Sequence, residues 1–246
     1  MFRILTVKEW GLIALVAVFG FDVASAQTID ANRPGFSFTT GTVPDGRWQL
    51  ETGIAYARPG SNSRTTSLPF AELRYGVADD MELFVSSLNW ARSESGSRDS
   101  SGLLDANIGI KIAAGGGERL RSAVLFQLSV PIGDSDFSSD DWDPGIAYVW
   151  AYDGRIPLVG TVMVRDSGDR YQLDNGLQLP YSINDRQTVF VEWEANLPEG
   201  GNDAHWLNGG LMWLLDDRRQ IDFEAGAGLN DAAGDYRLSA GFSILF

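Results

Sequence analysis

Cysteine is absent from all 246 residues, which removes disulfides, thiolate metal sites and cysteine nucleophiles. Histidine occurs once, at His205, so a histidine-dependent hydrolase would have to be built around that single ring, with Ser182 or Ser243 as the nucleophile to be brought beside it. Cations are scarce. There are 19 Lys+Arg against 33 Asp+Glu, a formal charge of −14, and so acidic a chain excludes nucleic acid as a partner. Long apolar runs are also missing: the one at residues 11–21 is shorter than the roughly 20 residues a spanning helix needs. A mature chain that meets a membrane must therefore cross it as strands, and without staples it must close a large core or a barrel.

What is present begins with export. Residues 1–26 read as a secretory signal peptide: Arg3 and Lys8 supply the basic start, residues 11–21 the apolar run, and Ala24-Ser25-Ala26 the cleavage site. The signal carries two charges of each sign, so the mature chain keeps the whole acidic excess. At the other end Tyr236, Leu238, Ala240, Phe242, Ile244 and Phe246 share one parity, and Arg237, Ser239, Gly241 and Ser243 the other. That is a strand with one greasy and one wet face, ending on an aromatic residue. Leu245 is its one large apolar exception.

Between these ends about twelve strand-like runs follow one another with no helical period. Leu104, Ala106, Ile108, Ile110 and Ile112 alternate with Asp105, Asn107, Gly109 and Lys111; Val189, Val191 and Trp193 alternate with Phe190, Glu192 and Glu194. Residues 156–165 are so uniformly apolar that their facing stays open. Long polar links (58–66, 91–101, 133–142, 166–170, 198–203 and 230–235) are interleaved with short ones (78–80, 115–117, 153–155, 184–186 and 216–218). This rhythm predicts an all-β fold: an up-and-down antiparallel transmembrane β-barrel of about twelve strands, with long outer loops, short periplasmic turns and both termini in the periplasm. The first strand should close on the last, residues 48–56 against 236–246. The domain plan is a signal peptide over 1–26, an N-terminal periplasmic lead-in over 27–46, broken by Pro34, Gly35, Pro44 and Gly46, and the barrel over 47–246.

Residues 32–36 (Asn-Arg-Pro-Gly-Phe) and 42–53 (Thr-Val-Pro-Asp-Gly-Arg-Trp-Gln-Leu-Glu-Thr-Gly) resemble the opening of the bacterial outer-membrane family of meta-pathway phenol-degradation proteins, often called transporter-like. The likeness continues through Leu73-Arg74-Tyr75-Gly76-Val77, Val130-Pro131-Ile132-Gly133-Asp134 and Leu207-Asn208-Gly209-Gly210-Leu211. Asn32 stands where the family more often has Asp. The resemblance implies an outer-membrane barrel associated with uptake of small, often aromatic or hydrophobic compounds, and no catalytic residues.

If the apolar parity faces lipid, the opposite one lines the lumen: Glu51, Glu72, Arg74, Glu82, Phe84, Asp105, Lys111, Asp174, Phe190, Glu192, Glu194, Asp222, Glu224 and Arg237. A carboxylate-rich lining suits a narrow cation-preferring conduit. The competing reading pairs these acids with the few Arg and Lys residues and plugs a small barrel, because narrow barrels are filled by side chains. Phe84 and Phe190 are the candidates for touching an apolar solute. Aromatics such as Tyr148, Trp193, Trp206 and Trp213 read as an interfacial girdle. Asp134, Asp136 and Ser138 are spaced like the start of a calcium loop, but the glycine and terminal glutamate that would complete it are missing. They read instead as a solvated acidic loop bridged loosely to lipopolysaccharide. No metal or cofactor is expected. The expected partners are outer-membrane lipid, lipopolysaccharide, a small-molecule solute and the outer-membrane insertion machinery, for which Phe246 is the assembly signal. The alternatives to a transporter or channel are a non-transporting structural or envelope-interaction barrel and, last, an outer-membrane hydrolase.

Overall fold

The computed structural model describes residues 28–87, 89–117, 119–166 and 170–246. The signal peptide reading lies outside them. The chain forms fourteen strands: β1 (Trp48–Gly60), β2 (Ser63–Ala78), β3 (Met81–Ser86), β4 (Trp90–Ser95), β5 (Arg98–Leu103), β6 (Ala106–Gly116), β7 (Leu120–Val130), β8 (Asp143–Tyr152), β9 (Leu158–Asp166), β10 (Tyr171–Asn184), β11 (Gln187–Pro198), β12 (Ala204–Asp216), β13 (Arg219–Gly228) and β14 (Tyr236–Leu245). All pairings between them are antiparallel. Twelve close into a ring running β1, β2, β3, then β6 through β14 and back to β1. The closing pair sets Gln49 opposite Leu245 and Tyr56 opposite Leu238, so no edge is left in the ring.

The two extra strands correct the reading of residues 91–101 as a loop. β2 is 16 residues long; its inner half pairs with β3 and its outer half with β4, which turns back as β5. The polar alternation of Ser, Arg, Asp and Glu there is a hairpin standing above the membrane wall. Residues 58–66 are likewise mostly ribbon, since β1 and β2 stay paired out to Gly60 and Ser63.

The outward parity is an apolar band. Ile54, Leu83, Ile108, Phe126, Ile146, Leu177, Val191, Leu207, Phe223 and Leu238 all point away from the ring. On β9, where the sequence left facing open, Val162 and Val164 point out while Thr161 and Met163 are buried. A closed ring with every strand paired and a greasy exterior is one of the two structures able to span a bilayer.

Candidate functional site: the barrel lumen

The lumen is occupied by residues 28–46. The segment is pinned at the turn end of the barrel at both extremes: Ile29 N donates to Asp217 O (2.7 Å), and Thr42 Oγ1 to Asp79 O (2.8 Å). Between these pins it runs up into the ring. This corrects the expectation of a lead-in on the periplasmic side: the segment is a plug. It also explains the parity exception in the last strand. Leu245 turns inward and packs with Ile29 and Val43, with Leu214 against them, at the base of the plug.

An extended segment shut away from water must find acceptors for its backbone N–H groups, each of which would cost about 1–3 kcal/mol if buried unpaired. The barrel provides them mostly as carboxylates. Asn32 N and Arg33 N donate to Glu51 (3.1 Å each), Gly35 N to Glu224 (3.2 Å), and Phe36 N and Ser37 N to the two oxygens of Glu192 (2.9 and 2.8 Å). Phe38 N donates to Thr161 Oγ1 (3.0 Å) and Val43 N to Glu82 (2.6 Å). The acidic parity that suggested a cation path is thus largely a row of acceptors for the plug.

Most of the remaining charge is paired within the lumen. Arg74, fully buried, donates to Glu82 (3.0 and 2.8 Å) and Glu51 (2.7 Å), and Lys111 reaches Glu82 at 3.2 Å. Arg33 joins the plug to Asp222 at 3.1 Å. Arg237 binds Glu194 and lies over the ring of Trp206 at 4.7 Å. Asp174 accepts from Arg165, Gln172 and Asn196. Room for the plug comes from absent side chains: a Cβ on Gly241 would sit 2.3 Å from Arg33 Nε, one on Gly53 2.8 Å from Arg33 Nη2, and one on Gly176 2.7 Å from Phe36 Cδ1.

Of the residues predicted to line the lumen, Asp105 is misplaced. It sits between β5 and β6 at the outer rim, accepting Gly133 N (2.9 Å) and Ser139 N (3.0 Å). The break between the two strands shifts the alternation there. Partial burial opposes ionisation of this carboxyl, but the donors from the 133–139 loop outweigh it and hold its pKa below the usual carboxylate value. Asp134 and Asp136 of the acidic loop are also engaged, with Leu103 N and Arg98.

A cavity of about 460 Å³ lies beside the plug, lined by Phe36, Phe38, Phe70 and Leu104 together with Glu72, Glu194, Glu224, Arg33 and Arg237. Phe84 and Phe190, the expected solute contacts, do not line it. Phe84 packs with Leu125, Ala147 and Met163 against Phe36 and Phe38, and the Phe190 ring lies where a Cβ on Gly210 would be. Trp206, read as a girdle residue, is inward and buried. The plug phenylalanines were missed because residues 27–46 show no clear period. The signal available was the set of inward-parity glycines, Gly53, Gly176 and Gly241, which leave space for something else to fill.

Fold and site together define a bacterial outer-membrane β-barrel whose own N-terminal segment fills part of its lumen. Residues 31–246 match the family model described as "Putative MetA-pathway of phenol degradation", and the chain belongs to that family. Among solved structures it is similar to the COG4313 outer membrane channel from Pseudomonas putida F1, at 15% identity and a TM-score of 0.61 over 87% of this chain and 99% of that one. It is also similar to the KdgM porin (13%, TM-score 0.54, 80% and 99%) and the NanC porin (12%, TM-score 0.53, 80% and 98%). These likenesses are of fold. No curated protein sequence matches the chain.

Proposed function

We propose that this protein carries small apolar compounds, aromatic ones included, across the outer membrane. The observation that supports the reading best is the phenylalanine-walled cavity beside the plug, large enough for a one- or two-ring solute and set in a lumen otherwise filled by paired charge. In this conformation the plug closes the turn end, so passage requires the segment to shift. The neighbours named as channels and porins support a transport role, and the apolar preference rests on the cavity.

The reading includes no catalysis. His205 lies at the start of β12 with its ring stacked on Trp193 at 5.9 Å, whereas Ser182 and Ser243 sit near the opposite, turn end of β10 and β14. The seven N–H bonds that seat the plug favour a second reading, a permanently sealed barrel with a structural or envelope-binding role. Uptake of radiolabelled toluene and of a sugar in a deletion strain separates the two. Transport predicts a several-fold slower toluene uptake with sugar unaffected, restored by the wild-type gene; no solute-specific defect would leave the sealed barrel standing.

A further inference from the structure

The carboxylates around the cavity are not equivalent. Glu51 is held by Arg74 and two plug N–H groups, Glu194 by Arg237 and Asn208, and Glu224 by Gly35 N and Ser239 Oγ with Arg237 at 3.7 Å. Glu72 is different. Among the described residues its one hydrogen bond is neutral, from Asn32 Nδ2 to Oε1 at 3.2 Å, and no ion pair reaches it. Arg74, two residues along the same inward face, is committed to Glu51 and Glu82. The cavity cations are paired: Arg33 with Asp222, its guanidinium 5.7 Å from the Phe70 ring centre, and Arg237 with Glu194; the Nε of each has no hydrogen-bond partner among the described residues but is buried.

The cavity therefore offers a visiting molecule apolar walls, one carboxylate with acceptor capacity to spare, and cations whose charge is already met by Asp222 and Glu194. Resting on the transport reading above, we infer that Glu72 sorts solutes here. When ionised it accepts the hydrogen of a hydroxyl or ammonium group on an otherwise apolar molecule and turns away aryl carboxylates. A donor on the solute gains an acceptor that the protein leaves under-used, whereas a carboxylate meets Glu72, Glu194 and Glu224 with both cavity arginines already paired.

The test uses four probes with one ring and one variable group: toluene, benzyl alcohol, benzylamine (protonated at neutral pH) and benzoate. Each is titrated calorimetrically at pH 8 into the full-length barrel in detergent. The expected order is benzylamine, then benzyl alcohol, then toluene, with about tenfold or more between first and third and no heat from benzoate. In Glu72→Gln, which keeps an acceptor and loses the charge, benzylamine falls to the level of benzyl alcohol. In Glu72→Leu, benzyl alcohol binds no better than toluene. Heat-shifted gel migration verifies that each variant is a closed barrel, and if Glu72→Leu does not fold, the Gln arm decides alone. If wild type binds toluene but ranks benzoate with benzylamine, or if the variants keep the wild-type order, the role of Glu72 is overturned and the cavity reading survives. If toluene itself does not bind, the cavity reading fails and this inference with it.

Discussion

Replacing Glu192 by Gln should loosen the plug. The carboxylate is fully buried and accepts Phe36 N and Ser37 N on separate oxygens, with Asn208 Nδ2 adding a third contact at 3.3 Å. A glutamine has one oxygen and one NH₂ group in their place. One plug N–H then faces a donor, which costs about 1–3 kcal/mol as a buried unpaired group, and the bond that remains loses its charge assistance, about 1 kcal/mol more. A total near 3 kcal/mol corresponds to roughly a hundredfold rise in the fraction of time the plug spends displaced. Single-channel recording in planar bilayers reads this as more frequent openings, and hydrogen exchange reads it as faster exchange of the amides of residues 36 and 37. Glu194→Gln is the matched control, because Glu194 touches Arg237 and Asn208 and no plug N–H; it should change opening much less. Unaltered opening and exchange in a correctly folded Glu192→Gln barrel, or equal effects from both variants, would refute the idea that this carboxylate seats the plug.

Two further outcomes can be checked. The folded pKa of Asp105 is depressed, so its hold on the 133–139 loop is fully present above the unfolded value of about 3.9 and is lost as pH falls through the folded one; amide exchange at Gly133 and Ser139 should accelerate only below pH 4, and Asp105→Asn should show fast exchange at neutral pH. Phe246, whose N–H closes the ring by donating to Trp48 O at 2.7 Å, is proposed as the handle for the insertion machinery. Its deletion should lower the amount of heat-modifiable barrel in outer-membrane fractions, and undiminished insertion would remove that role.

The barrel was legible because a strand with lipid on one side and a polar lumen on the other writes its geometry as a period of two. Trp48 to Tyr56 and Tyr236 to Phe246 therefore closed on each other as the alternation required. What alternation could not show was anything that leaves the strand lattice. The plug has no strand period, since its N–H groups bond to side chains on five different strands, and a run so held imposes no rule on its own sequence. Asp105 was misjudged for a related reason: the break before β6 shifts the parity, and no single residue marks it. Glu51, Glu82, Glu192 and Glu224 do face inward, and Glu51 and Glu82 pair with Arg74 and Lys111 as the plugged-barrel reading expects, but all four also accept N–H groups of a segment that neither reading put in the lumen. A carboxylate aimed at a missing cation and one aimed at a missing backbone are indistinguishable in a strand read alone.

The plug also sets the order in which this chain can be finished. Arg33 meets Asp222 and Gly35 meets Glu224 across 189 residues each, and Arg47 meets Phe246 across 199. Residues 28–46 can meet Glu51, Glu72 and Glu82 early, but their seat on β11, β13 and β14 does not exist until the last strands do. Contacts of such separation form only after the intervening loop is closed. The Phe36–Phe38 stretch must therefore wait with its final acceptors missing while β1 and β14 find each other.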